Sequence, residues 1–173
     1  MMSFRCTRKL LALLKLPVPK EPPPATTILG DWYCNVFYLR PTHFILLVSE
    51  KSRLPVLVPR RQLSNIESFF LREVAGFLDR IGIAHEAIDQ EIHSMNQMAF
   101  GAIHDKSLLG SMNDFAYHLR FQVESNPNAV YQEIYEALAE IPCGSLNYQT
   151  PIEATRKLFP VNRQFKLMKP KAT

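Results

Sequence analysis

Asp31–Pro59 reads DWYCNVFYLRPTHFILLVSEKSRLPVLVP, and this stretch decides the fold. Asp31–Arg40 and His43–Glu50 are rich in aromatic and β-branched residues, and the Pro41-Thr42 step between them suits a tight connection. Leu54–Val58 supplies a third short strand, and Pro55 directs it to a sheet edge or a bulge. Strands joined in this way predict an antiparallel sheet. On alternate positions Trp32, Cys34, Val36 and Tyr38 face one way, and Tyr33, Asn35, Phe37 and Leu39 the other. Both faces are therefore apolar: either helices cover both, or one of them meets a partner or a second copy.

Upstream, Ser3–Cys6 reads as a short strand, Thr7 as an N-cap, and the residues after it as a helix with Leu10, Leu13 and Leu14 on one face. Pro17–Thr27 (PVPKEPPPATT) can form neither a helix nor a central strand, because its prolines lack donors and fix φ. It is expected to cross the domain extended. Downstream of Arg61 the apolar period changes to that of a helix: Leu63, Ile66, Phe69, Phe70, Val74, Phe77, Leu78 and Ile81 recur at three and four, closed by Gly82. Ala84–Met95 follows as a second helix, Gln97–Ile103 as a returning strand, Leu108–Glu124 and Asn128–Ile141 as two more helices, and Pro151–Phe159 as a last turn or two. Strands first and helices after predict an α+β domain. It consists of a small antiparallel sheet from the N-terminal half, with four to five helices from the C-terminal half packed on one face. Residues 1–160 form that single domain, and 161–173 a flexible basic tail.

The chain has 173 residues, 47% of them hydrophobic and 21% charged, a composition that excludes collagen-like and wholly disordered classes. A domain of this size buries roughly 70% of its unfolded surface and needs no disulfide or structural metal. No apolar run approaches the roughly 20 residues that span a bilayer, so a soluble protein without membrane contact is expected. Met1–Leu16 has early basic residues, but its apolar stretch Leu10–Leu14 ends at Lys15 and no small-residue cleavage site follows, so it does not complete a signal peptide. Cys6, Cys34 and Cys143 are odd in number and widely spaced, as thiols of a reducing, cytoplasmic compartment are.

Charge divides along the chain. Residues 1–20 and 156–173 carry 11 basic residues and no acid, whereas 21–155 hold nine basic and all 16 acidic residues, a net of −7. Basic ends of this kind reach phosphates or simply solubilise. The nucleic-acid contacts they imply are Arg5, Arg8, Lys9, Arg60, Arg61, Lys166 and Lys169.

Several strings stand in a fixed order: Thr7-Arg8-Lys9-Leu10-Leu11, Gly30-Asp31-Trp32-Tyr33, Leu54–Pro59 (LPVLVP) and Leu109–Ala116 (LGSMNDFA). Together they resemble an uncharacterised bacterial family of small proteins, a domain of unknown function, over residues 7–159. The resemblance carries no activity. Where the family has an Asn-Arg-Ser type sequence before the last string, this chain has His104-Asp105-Lys106-Ser107, and Lys106 lacks the bidentate fork of an arginine.

The last string reads first as a capped helix start, Ser111 as N-cap with Asp114 at N3. A helix start beside a polar loop also suits an anion, which gives a candidate ligand site of His104, Lys106, Ser111, Asn113 and Asp114, with His104 as its acid or base. His85, Asp89 and His93 lie at i, i+4 and i+8, but the outer two are about 12 Å apart along a helix, too far to share one ion. With Glu86 and Glu91 they read as a wet helix face, and no metal is assigned. No nucleophile elbow, Walker loop or dinucleotide fingerprint is present, so no catalytic residue and no cofactor are assigned. Cys143, beside Gly144, is the more exposed thiol candidate. The leading reading is a non-catalytic intracellular interaction or regulatory protein of bacteria, forming a homodimer or holding a protein partner through an apolar sheet or helix face. The alternatives are a nucleic-acid-directed binder or small toxin-like nuclease, and an enzyme or anion-binding site at the 104–114 loop.

Overall fold

The computed structural model describes residues 1–17, 20–40 and 42–160. Five strands, β1 (Met2–Cys6), β2 (Trp32–Leu39), β3 (Thr42–Ser49), β4 (Pro55–Pro59) and β5 (Met98–Ala102), join in one sheet of order β4-β3-β2-β1-β5. The helices are α1 (Arg8–Leu13), α2 (Ile66–Arg80), α3 (His85–Met95), α4 (Lys106–Ser125), α5 (Tyr131–Ala139) and α6 (Pro151–Leu158), with 3-10 turns at Arg60–Asn65 and Gly144–Leu146. This is the α+β fold read from the sequence. The basic tail expected at 161–173, with Lys166 and Lys169, lies outside the described residues.

The sheet itself corrects one expectation. β2, β3 and β4 are antiparallel as predicted, and proline-bearing β4 takes the edge. But β1 runs parallel to both β2 and β5, so the sheet is mixed. Parallel neighbours need a long crossover. α1 and the proline-rich segment provide one between β1 and β2, and α2 with α3 carries the chain from β4 round to β5.

Helices cover both faces, not one. On one face Phe70 of α2 meets register partners Phe4 and Trp32, at ring separations of 5.2 and 4.8 Å. On the other, Tyr33 meets His104 just before α4, and Phe44 meets Tyr131 of α5 at 5.2 Å. Tyr135 of the same helix rests against Phe77 of α2, so α5 closes the β4 edge. Trp32 and Tyr33 are fully buried. The apolar sheet face proposed as an interface is therefore filled by the chain's own helices.

Polar groups fix the entry to β2. Gly30 has φ +78°, and a Cβ there would come within 2.6 Å of Glu50 Oε2, the atom that accepts from Asp31 N. Asp31 is buried; its carboxylate accepts from Ser3 N at 2.7 Å and from Arg5 Nε at 2.9 Å. Arg5 reaches on to Glu21 at 2.6 Å. Glu91, read as part of a wet face, is instead buried and accepts from Ile28 N and Leu29 N. A carboxylate bonded to two backbone amides tolerates burial better than an unpaired one.

Candidate functional site

The string Leu109–Ala116 lies inside α4 and does not begin it. Asp105 is the N-cap, accepting from Ser107 N at 2.8 Å and Leu108 N at 3.2 Å, so the reading of Ser111 as cap is corrected. Ser111 donates back to Ser107 O at 3.4 Å, one turn earlier, as hydroxyls within helices do. Leu108, Met112, Phe115 and Leu119 turn inward and are buried. The opposite face is exposed along the whole helix through Lys106, Gly110, Asn113, Tyr117, Phe121 and Glu124.

Beside that face α4 and the loop 141–145 enclose a cavity of about 360 Å³, lined among others by Ser111, Asp114, His118, Cys143 and Ser145. Ser111 and Ser145 hydroxyls are 3.3 Å apart across it. Burial pushes the Cys143 thiol up; nearby Arg53 opposes this and Asp114 reinforces it, which keeps the sulfur a protonated, weak nucleophile. The thiol donates to Ile141 O.

Only part of the sequence-derived set converges here. Ser111 and Asp114 line the cavity; His104, Lys106 and Asn113 do not. His104 lies just before α4 and meets the sheet instead, its Nε2 3.3 Å from the Tyr33 phenol, whose pKa is pushed up to about 12 by burial and by Glu50. Lys106 and Asn113 are exposed. An anion in this cavity would face the Asp114 carboxylate with no lysine or arginine among its lining residues. His118 and Ser145 were missed: His118 follows Ser111 by seven residues on the same helix, a spacing that puts both on one face, whereas only the return of the loop onto α4 brings Ser145 there.

The basic residues separate in a similar way. Arg5 is 4% exposed and committed to Asp31 and Glu21, so it is removed from the phosphate contacts. Arg8 and Lys9 are exposed on the first turn of α1, and Arg60 and Arg61 on the 3-10 turn after β4. His85 sits 3.7 Å from Asp79, and no group of metal-ligating side chains occurs among the described residues. No helix among them is long and apolar enough to cross a membrane.

The family model described as a domain of unknown function, DUF6933, matches residues 3–154. The chain belongs to that family. No curated protein and no solved structure matches it. Within this DUF6933 chain two of the strings quoted above have structural roles: Gly30 and Asp31 build the turn and buried ion pair before β2, and LPVLVP holds the edge strand.

Proposed function

We propose that this DUF6933 chain is a non-catalytic interaction protein, that its recognition surface is the outer face of α4, and that the partner is a second copy. One observation carries the reading. Tyr117 is 75% and Phe121 64% exposed, one turn apart on a long helix, in a chain that otherwise covers both faces of its sheet.

Charge and shape on this face are self-complementary in one register. If two α4 helices align antiparallel about a two-fold axis at the level of residue 115, Lys106 stands opposite Glu124 of the second copy at both ends. Phe121 then lies over the Leu109–Gly110 step, and at Gly110 a Cβ would meet nothing within 4 Å, so the helix surface is open there. Tyr117 falls opposite Asn113. Antiparallel helices also oppose their dipoles favourably. The contact is one helix of about 30 Å, at the small end for stable interfaces, so the dimer is weak and concentration-dependent.

The register is tested by disulfide trapping in a Cys143→Ser background. A mixture of Gly110→Cys and Phe121→Cys chains forms a crosslinked dimer on mild oxidation, and neither chain does so alone. Equal crosslinking in the separate and mixed samples, or none in any, contradicts the pairing.

A further inference from the structure

We infer that the far end of the sheet, around the β2–β3 turn, is a docking surface for single-stranded nucleic acid. β1, β2, β4 and β5 run in the same direction, so the residues leaving β2 and β4 emerge at one end of the sheet. The sequence places arginines there: Arg40 directly after β2, and Arg60 and Arg61 directly after β4. Arg120 arrives from α4. Arg40 and Arg120 share with Tyr38 the lining of a cavity of about 420 Å³, in which Glu124 is the one carboxylate. Residues 21–155 are net acidic, yet four of their arginines, from three separate elements, come to this end of the sheet: two line the cavity beside Glu124 and two follow β4.

Rings are interleaved with these charges. Tyr38, 51% exposed, packs at a tilt against His43 with ring centroids 4.6 Å apart, and Arg60 Nη1 approaches His43 at 3.5 Å. Arg61 lies 5.9 Å over the ring of Tyr131. Arginine forks fit phosphate oxygens bidentately, and an exposed ring beside them offers a stacking platform to any unpaired base. The cavity is of a size that holds small ligands. A duplex keeps its bases stacked on each other and cannot use Tyr38, which is why the surface favours a single strand.

Fluorescence anisotropy with end-labelled single-stranded and duplex oligonucleotides of the same sequence, over a sodium chloride series, decides the matter. With about four phosphates neutralised, affinity for the single strand falls about 50-fold between about 50 and 200 mM salt. The double variant Arg40→Glu/Arg60→Glu abolishes binding at the lower salt. Tyr38→Ala, on the surface, weakens single-strand binding about tenfold and leaves duplex binding unchanged. Circular dichroism confirms that each variant is folded. No binding at about 50 mM salt overturns the assignment. So does equal binding of duplex and single strand with no effect of Tyr38→Ala, or loss of binding on Lys166→Gln/Lys169→Gln with none on the arginine pair. The α4 dimer can fail without touching these results, because Tyr38, Arg40 and Arg60 are not among its contacts and Glu124 alone of the named residues belongs to both surfaces.

Discussion

Replacing Asp31 by Asn removes one charge from the most deeply buried ion pair among the described residues. Both side chains are nearly inaccessible, at 5% and 4% exposure, and Arg5 Nε lies 2.9 Å from Asp31 Oδ2. The Asn side chain keeps an acceptor for Ser3 N and nearly the same volume, so the loss is electrostatic and not a cavity. Leaving a buried charge without its partner costs about 3–5 kcal/mol. Glu21 stays on Arg5 Nη1, but its own side chain is 72% exposed and well solvated, which holds the expectation at the lower end, about 3 kcal/mol. For a domain of this length that lowers Tm by about 8 °C. Glu21→Ala, which removes only the exposed partner, costs about 0.5 kcal/mol. Urea titrations followed by Trp32 fluorescence measure both. A loss under about 1 kcal/mol for Asp31→Asn, or equal losses for the two variants, refutes the reasoning that this pair is a buried structural tie.

The start of α4 is tested by a pair of substitutions: Asp105→Ala loses about 1 kcal/mol because two amides lose their acceptor, whereas Ser111→Ala, within the helix, changes stability by less than about 0.5 kcal/mol in urea unfolding. Alkaline pH has a signed effect. Burial raises the Tyr33 phenol to about 12, and raises Tyr135 further with help from Glu73, while both titrate near 10 when unfolded. The folded state therefore holds these protons longer, and their stabilisation is complete below pH 10 and lost as pH rises toward 12. Phenolate absorbance should show two tyrosines titrating late or with unfolding; six phenols titrating together near 10 would contradict the burial.

The meander and most helices were legible because local signals agreed with the tertiary structure. Pro55 foretold an edge strand, and the change of period after Arg61 foretold α2. The parallel place of β1 was not legible, since Ser3–Cys6 is too short to reveal its neighbours, and only the long connection 7–31 permits it. Coverage of both faces likewise depends on where α4 and α5 return. Arg5 shows the limit of reading charge by type: beside Arg8 and Lys9 it looks like a phosphate ligand, yet the strand turns it inward onto an aspartate 26 residues away. A serine followed at three residues by an aspartate fits the cap pattern at Ser111, whereas Asp105 offers the stronger acceptor about one and a half turns earlier. Of the 104–114 site, Ser111 and Asp114 reach a cavity. Its other wall, Cys143 and Ser145, comes from a loop that no helical spacing could connect to α4.

The central claim, association through α4, meets its most direct test in sedimentation equilibrium over about 5–500 µM, a range suited to a small interface. The wild-type chain should pass from a monomer of 19.9 kDa toward twice that mass as concentration rises. Phe121→Asp should remain monomeric throughout with an unchanged circular dichroism spectrum. A wild-type chain monomeric over the whole range, or a dimer that persists undiminished in Phe121→Asp, contradicts the account.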